Sequence, residues 1–249
     1  MSVVGITGST IGVQMHTAPR LFVTDTLSEG GAVAGSAAQA HHLARVLRRE
    51  AGDPVRLFNG RDGEYAARIA SLRRDGVVFE AHARLRAQTP EPDTWLVFAV
   101  LKRDATDLVV EKATELGVSA LLPVFTERTQ AGRVNVDRLR AIAAEAAAQS
   151  ERLTVPQVEA PCPLLDLLSV WPRERRLAAA VERVRAPQAA PPQTVAPAAL
   201  LVGPEGGFTP RELDVLGATP FIQPVSLGPR VLRADTAAIA GLALLLARP

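Results

Sequence analysis

The hydrophobic pattern of the chain changes once along its length, and this change constrains the fold more than any other feature. Between residues 19 and 87, short apolar segments separated by glycine-containing turns are typical of β-strands. From residue 94 onward, apolar runs alternate with segments of helical period, such as residues 106–116 and 136–149. The segment 88–93, which contains two prolines, separates the two patterns. We therefore predict a small β-barrel followed by an α/β domain with a largely parallel sheet.

The predicted barrel occupies residues 19–88. Its strands are expected at residues 20–24, 54–58, 64–71 and 77–85, and one helix is expected at residues 39–49. The turns between the later strands contain Gly60, Gly63 and Gly76, a residue type that tolerates turn conformations. Residues 1–18 are small and polar, and they are expected to form a disordered leader.

The predicted α/β domain occupies residues 89–249. Its strands are expected at residues 95–101, 120–125, 177–181, 199–202 and 222–227, and its helices at residues 106–116, 136–149, 164–170, 210–216 and 234–247. Residues 186–199 contain four prolines among Ala and Gln, which predicts an extended surface linker.

The composition excludes several classes of protein. Hydrophobic residues make up 47% of the chain and charged residues 22%, which is typical of a globular protein and excludes wholesale disorder. The single cysteine, Cys162, excludes an internal disulfide framework and a cysteine-based zinc cluster. No signal peptide is recognisable, and the longest apolar run, residues 239–247, is far shorter than the ~20 residues of a membrane span. We expect a cytoplasmic protein without a membrane segment.

The basic residues are unevenly distributed, although the formal net charge is only +2. All but two of the 28 basic residues are arginine, which either codon bias in a GC-rich genome or a need for phosphate contacts would explain. Between His41 and Arg74 the arginines outnumber the acidic residues, at positions 45, 48, 49, 56, 61, 68, 73 and 74. This segment could follow a nucleic-acid backbone, or it could be an ordinary solvated surface.

A glycine-rich loop after a predicted strand is the sharpest local feature. The strand ends at Gly203, and the loop Gly203-Pro204-Glu205-Gly206-Gly207-Phe208 leads into a helix. Thr209 is a plausible N-cap, and Glu212 would complete a capping box. Such a loop lets a ligand approach backbone amides without obstruction by side chains, although a simple tight turn explains it equally well. It has neither the dinucleotide fingerprint nor the phosphate-loop ending.

A second loop of this kind follows the next strand, at residues 226–236. It leaves the strand through Gly228 and places Arg230, Arg233 and Asp235 beside the start of a helix. Arg233 and Asp235 could serve a ligand, or they could form a local ion pair with Asp235 or Thr236 capping the helix. Thr126, Glu127, Arg128 and Thr129 follow another strand and could line the same edge of the sheet. His41 and His42 are adjacent and do not form a metal site.

Together these segments resemble the RsmE-type family of bacterial small-subunit rRNA uridine-N3 methyltransferases, which belong to the SPOUT class. The resemblance extends from about Pro19 to Ala247, and the order and spacing of its motifs are specific. The motifs are Pro19-Arg20-Leu21-Phe22, residues 42–48 with Gly52-Asp53, residues 111–117, Thr126-Glu127-Arg128, Gln149-Ser150 leading to Arg152 and Val155-Pro156, and the two glycine loops.

The resemblance implies a PUA-like β-barrel that docks RNA, followed by a SPOUT α/β domain with a deep trefoil knot. It also implies a homodimer whose two active sites lie at the subunit interface. S-adenosyl-L-methionine would bind in a bent form among three loops. The implied cofactor-binding residues are Thr126, Leu201, Val202, Gly203, Glu205, Gly206, Gly207, Leu227, Gly228, Val231, Leu232 and Arg233.

The chemistry that the resemblance implies is methyl transfer to N3 of uridine, which must lose its proton. A cation near the developing uracil anion would stabilise it, and Arg233 is the first candidate and Arg128 the second. Asp235 would accept the proton or orient Arg233. No metal is needed. RNA contacts are expected at Arg20, Arg45, Arg48, Arg49, Lys102 and Arg152.

Four residues depart from the family pattern. Arg103 and Ala105 stand where a glycine and a basic residue are usual, Asp235 replaces glutamate, and Thr154 replaces a basic residue. We expect methylation of 16S rRNA in the small ribosomal subunit. The alternatives are another SPOUT methyltransferase acting on ribose 2′-OH or tRNA, and a non-catalytic rRNA-binding assembly protein.

Overall fold

The computed structural model describes residues 17–130, 132–181 and 197–246, which form two compact units. The N-terminal unit contains the described residues up to Pro90 together with Ala147–Val155, and the C-terminal unit contains Glu91–Ala146 and the described residues from Pro156 onward. The expected leader and most of the proline-rich linker lie outside the described residues. The segment 147–155 was predicted to belong to the second domain, but it packs with the first unit.

The N-terminal unit is built on a five-stranded sheet. The strands are β1 (Arg20–Phe22), β2 (Ala32–Gly35), β3 (Pro54–Phe58), β4 (Glu64–Arg73) and β5 (Gly76–Arg86), in the order β1-β3-β4-β5-β2. All pairs are antiparallel except β1 with β3. Register shifts between β4 and β5 mark bulges, which increase the twist of the sheet. Val33, Leu57 and Phe79 are fully buried within its core.

The predicted helix of this unit begins two residues earlier than expected and changes from α-helical to π-helical hydrogen bonding along its length. Helix α1 (Ala37–His41) starts after Ser36, whose side chain forms a capping box with Gln39, and a π-helical turn continues over His42–Val46. Strand β2 was not predicted because its only buried residue, Val33, lies between two small alanines and gives no apolar alternation. Pairing with β5 extends this segment.

A buried arginine holds the segment 147–155 in the N-terminal unit. Arg20 donates to Glu64 Oε1 at 2.6 Å, and its Cζ atom lies over the Phe58 ring, 4.5 Å from the ring centroid. It also donates to three backbone carbonyls, those of Ala147 (2.9 Å), Ala148 (2.7 Å) and Arg152 (2.7 Å). These carbonyls lie at and after the end of a helix, where carbonyl groups lack partners within the helix and a cation is favourable.

The C-terminal unit contains a parallel sheet flanked by helices. Its strands are β6 (Thr94–Ala99), β7 (Ala120–Phe125), β8 (Gln157–Val158), β9 (Cys162–Pro163), β10 (Arg176–Ala180), β11 (Ala198–Val202) and β12 (Ile222–Val225). Its helices are α2 (Arg103–Leu116), α3 (Val136–Gln149, whose last residues belong to the N-terminal unit), α4 (Leu164–Ser169), α5 (Pro210–Ala218) and α6 (Ala234–Leu246). The strand order is β12-β10-β11-β6-β7-β8, and β9 pairs with the end of β7.

Strand β11 lies centrally in this sheet, and all five of its residues are buried. Helix α6 approaches it closely at Gly241, where a Cβ atom would lie 2.7 Å from Leu200 Cδ2. The predicted strands and helices of this domain agree with the structure to within a few residues, except that the two-residue strands β8 and β9 were not predicted. No helix in the described part of the chain is long and apolar enough to cross a membrane.

Candidate functional site

Three loops follow parallel strands of the C-terminal unit and lie at the same edge of the sheet. They follow β7, β11 and β12, and they comprise residues 126–130, 203–209 and 226–233. The carboxyl ends of parallel strands are where α/β proteins bind ligands. The structure thus brings the three predicted loops to one edge.

The loop after β11 is shaped by close packing of its glycines. At Gly203 a Cβ atom would lie 2.9 Å from Phe208 Cε2, so a side chain there would displace the Phe208 ring. Gly207 donates to Pro204 O at 2.8 Å to close a turn, and its φ of +68° is in the region that favours glycine. Glu205 and Gly206 are exposed, whereas Leu201 and Val202 are buried at the end of the strand. The tip of the loop therefore presents backbone with little side chain.

Glu212 fastens this loop to its neighbour. Its carboxylate accepts from the N–H of Thr209 at 2.8 Å through Oε2, and from the N–H of Glu127 at 2.9 Å through Oε1. The first contact completes the predicted capping box, and the second joins the loop after β7 to the start of α5. Only 1% of the Glu212 surface is exposed. Sequence reasoning identified Glu212 as a capping residue and missed its bond to the other loop.

Arg128 makes the second link between these loops. Its Nη1 donates to the carbonyls of Gly206 at 2.8 Å and of Phe208 at 3.4 Å. A Cβ atom on Gly206 would lie 3.3 Å from Arg128 Cβ, so the arginine stem lies directly against this glycine. Thr126 stabilises the turn that contains Arg128 through hydrogen bonds of its N–H and its hydroxyl with the hydroxyl of Thr129, both at 2.9 Å. Arg128 thus shapes the glycine loop.

The loop after β12 is more exposed. Gly228 has a φ of +118° and donates to Ser226 Oγ at 3.3 Å. Val231 is 65% exposed, and Leu227 and Leu232 are half-buried. This loop therefore offers apolar side chains next to a glycine turn at the site.

Arg233 and Asp235 do not form the local ion pair that remained open from the sequence. Arg233 is exposed, and its side chain makes no hydrogen bond or ion pair with any residue that the structure describes. Asp235 Oδ1 instead accepts from Thr236, from the N–H at 2.6 Å and from the hydroxyl at 3.2 Å. The Arg233 guanidinium is consequently available to a ligand.

The predicted RNA contacts fall into two groups. Arg45, Arg48 and Lys102 are exposed, and Arg49 is half-buried. Arg20 and Arg152 are 8% and 9% exposed. The guanidinium of Arg20 is engaged by Glu64 and three backbone carbonyls, which favours a structural role over an RNA contact. Arg152 is buried to a similar extent and donates to Thr154 Oγ1 at 3.1 Å.

The donor set of the site suits an organic ligand. In the described ranges, no cluster of three or more His, Cys, Asp or Glu residues is arranged to hold a metal ion. A Cβ atom on Gly207 or Gly228 would project into open space. The N–H groups of Glu205 and Gly206 have no hydrogen-bond partner in the described chain, so a ligand could use them.

Two family models match the chain. The RNA methyltransferase domain matches residues 88–246, and the RNA methyltransferase PUA domain matches residues 36–81. The structure therefore combines a PUA-like N-terminal unit with an α/β unit of the SPOUT type.

Similar proteins and structures span nearly the whole chain. The ribosomal RNA small subunit methyltransferase E of Rickettsia conorii is 32% identical over 90% of this chain and 93% of its own length. The ribosomal RNA small subunit methyltransferase E of Synechocystis is 35% identical, and the match covers 83% of this chain and 70% of that protein. A putative methyltransferase from Legionella pneumophila, solved with bound S-adenosylmethionine, superimposes with a TM-score of 0.81 at 28% identity, covering 91% of this chain and 96% of that one. The Neisseria gonorrhoeae ribosomal RNA small subunit methyltransferase E, also solved with S-adenosyl methionine bound, superimposes with a TM-score of 0.75 at 29% identity. The match covers 91% of this chain and 95% of that one.

Proposed function

The chain belongs to the ribosomal RNA small subunit methyltransferase E family, and we propose that it transfers the methyl group of S-adenosylmethionine to N3 of a uridine in 16S rRNA. The observation that carries this proposal is the set of three loops at one sheet edge, two of them joined by Glu212 and Arg128. Relatives that are similar over nearly their whole length are small-subunit rRNA methyltransferases.

The cofactor would lie against the glycine loop after β11 and the loop after β12. The exposed backbone of Glu205 and Gly206 offers hydrogen-bond donors, and Val231 and Leu232 offer apolar contacts. When bound, S-adenosylmethionine supplies an electrophilic methyl group on a sulfonium, so the chain needs no nucleophile of its own. The role of these loops is to hold the acceptor nitrogen in line with that methyl group.

The remaining chemical problem is the proton on uracil N3. Its pKa is roughly two units above neutrality, so removing the proton costs about 3 kcal/mol at ~1.4 kcal/mol per unit. Arg233 would stabilise the anion that forms, because its guanidinium has no competing partner in the described chain. Arg128 is less suited to this role, since it is engaged with the carbonyls of Gly206 and Phe208.

Asp235 is the proposed proton acceptor. Its Oδ1 is engaged by Thr236, which fixes the carboxylate at the start of α6, two residues from Arg233. Its second oxygen makes no hydrogen bond with the described residues, so it is available to take the N3 proton or to orient Arg233.

The protein is also proposed to act as a homodimer in the cytoplasm, with the trefoil knot of its class. Helix α6 is apolar nearly all round, and its Leu244 is 43% exposed. An apolar helix of this kind is normally buried, and a second copy of the chain would cover it. Val231, 65% exposed near Arg233, would be covered by the same association if the site lies at the subunit interface.

The experiment is mass-spectrometric nucleoside analysis. Small ribosomal subunits lacking the modification are incubated with the protein and deuterated-methyl S-adenosylmethionine, and labelled 3-methyluridine is expected. A different labelled nucleoside would replace the proposal by methylation at ribose 2′-OH or another base, with tRNA as the parallel substrate. Cofactor and RNA binding without any label on either RNA would identify a non-catalytic assembly protein.

A further inference from the structure

The N-terminal unit contains a cleft between its helical segment and the turn that joins β4 to β5. The cleft has a volume of about 660 Å³. His41 and Arg45 line one side, and Arg73 and Arg74 line the other. Leu72 and the alanines of the helix form the apolar part of its surface.

The lining of this cleft is cationic and contains no carboxylate. Arg45, Arg73 and Arg74 are exposed, and none makes a hydrogen bond or ion pair with a residue in the described ranges. Asp75 follows Arg74 in the turn, but it does not line the cleft. Three guanidinium groups without counter-charges face one space, which favours a polyanionic ligand.

Other arginines of this unit are used internally. Arg20 and Arg86 hold Glu64, each at 2.6 Å, and Arg61 and Arg68 donate to the backbone carbonyls of Thr24 and Gly52. The absence of such partners at the cleft is therefore not a general property of arginine in this fold. The cleft arginines therefore differ from Arg20, Arg61, Arg68 and Arg86, whose guanidinium groups stabilise the unit.

The backbone beside the cleft is unusual. The π-helical turn His42–Val46 is followed two residues later by Arg48, a non-glycine residue with a φ of +51°. Such turns and left-handed residues are concentrated at functional sites, where the surrounding fold compensates for their strain. The same turn exposes 62% of Val46. The π-helical turn thus presents Arg45 and the apolar side chain of Val46 next to each other at the surface.

We propose that this cleft binds the phosphodiester backbone of the substrate RNA, with Arg45 on one side and Arg73 and Arg74 on the other contacting neighbouring phosphates. The guanidinium fork matches phosphate geometry, and three guanidinium groups line the cleft, which is more than one phosphate requires. The proposal rests on the function proposed above. It selects Arg73 and Arg74 from the arginine-rich segment 41–74 and joins them to Arg45 as phosphate contacts.

The test uses three single variants of the full chain: Arg45→Gln, Arg74→Gln and, as the control, Arg84→Gln. Arg84 is also exposed and without a partner in the described part of the chain, but it does not line the cleft. Binding of unmodified 16S rRNA transcript is measured as a function of salt. Each cleft variant is expected to reduce the slope of log Kd against log salt by about 0.7 and to raise Kd about threefold at moderate salt. The control is expected to change neither quantity.

An equal loss of RNA affinity in all three variants would mean that only the net charge of the protein matters, and it would overturn the proposal. Cleft variants that bind RNA like the wild type would overturn it as well. Because the sites are on opposite sides of the cleft, misfolding of one segment would not explain parallel effects in both. Competition with inorganic phosphate and with uridine monophosphate distinguishes the ligand source: displacement by either at micromolar concentration would identify a small-anion site instead.

This measurement is independent of turnover. If 16S rRNA binds through the cleft but receives no methyl group, the proposed function fails and the cleft proposal stands. If methylation proceeds and its KM is unchanged in both cleft variants, the cleft proposal fails and the proposed function stands.

Discussion

Replacing Glu212 by glutamine should loosen two loops at once. The carboxylate spans from Thr209 to Glu127 and is almost fully buried, with 1% of the residue exposed. Glutamine has nearly the same size, but only one of its terminal atoms accepts a hydrogen bond. Its amide NH₂ would face one of the two backbone N–H groups, so that group would lose its partner.

The magnitude follows from the kind of bond that is lost. A hydrogen bond to a charged group contributes about 1.5–3 kcal/mol, and a buried donor left unsatisfied costs a comparable amount. We therefore expect Glu212→Gln to lower the free energy of unfolding by about 2 kcal/mol. If the Glu127 bond is the one lost, the loop after β7 detaches from α5, and the affinity for S-adenosylmethionine should fall about tenfold, since ~1.4 kcal/mol corresponds to that factor.

The assay combines denaturant unfolding with calorimetric titration of S-adenosylmethionine. Asp214→Asn is the matched control, because Asp214 lies on the same helix, is exposed, and has no hydrogen-bond partner in the described chain. It should leave both quantities within error of the wild type. A Glu212→Gln protein with the stability and cofactor affinity of that control would refute the idea that the carboxylate fastens the loops.

Three further variants test other parts of the structure. Arg233→Ala should reduce turnover by about 100-fold while cofactor affinity stays within a few-fold, whereas Arg230→Ala, on the same loop, should be nearly normal; equal activities would remove Arg233 from the site. Gly206→Val should raise the Kd of S-adenosylmethionine at least tenfold, because a Cβ added at this position would lie only 3.3 Å from Arg128 Cβ and the valine methyls extend further. A Cβ added in the control variant Gly217→Val meets no atom within 4 Å, and undiminished cofactor binding by Gly206→Val would show that the ligand lies elsewhere. Glu64→Gln should lower the free energy of unfolding by about 3–5 kcal/mol near neutral pH, since it leaves the buried guanidinium of Arg20 without its counter-charge. Burial opposes the charge of Glu64, but the hydrogen bonds and charges of Arg20 and Arg86 outweigh it and hold its pKa below the ordinary 4.5, so this stabilisation is complete above pH 4.5 and is lost as pH falls through the lower value. The difference between wild type and variant should narrow in acid; a difference independent of pH would contradict this.

The sequence predicted the secondary structure of the sheet well because its signals are local. The apolar runs of β7 and β11 and the Thr209–Glu212 capping box depend on neighbours within a few residues. The bond from Glu212 to Glu127 crosses 85 positions of the chain, and the bond from Arg20 to Ala147 crosses 127. No periodicity or spacing rule encodes such contacts, so both roles were missed.

The same difference explains why arginines were the least predictable residues. A guanidinium can donate to backbone carbonyls, pair with a buried carboxylate or bind a phosphate, and the neighbouring residues in the sequence distinguish these three roles poorly. Arg20 lies in a motif of the family resemblance and was expected to contact RNA, but it stabilises the fold. Arg73 ends β4 and Arg74 lies in the turn that follows; neither was singled out as an RNA contact within the arginine-rich segment, although the fold leaves them without partners in the described chain. What decides the role is the supply of acceptors within reach.

Within the described residues, both units contain arginines that are bonded to acceptors and arginines that are not. In the C-terminal unit the acceptors of Gly206 and Phe208 engage Arg128, so the glycine loop is shaped before any ligand binds, and Arg233 is left uncommitted at the same edge. In the N-terminal unit Glu64 engages Arg20 and Arg86, and the cleft arginines are left uncommitted. Each unit thus uses some arginines to fix its shape and leaves others for an anion. If RNA is the shared ligand, loss of a cleft arginine should raise KM and spare kcat, whereas loss of Arg233 should lower kcat.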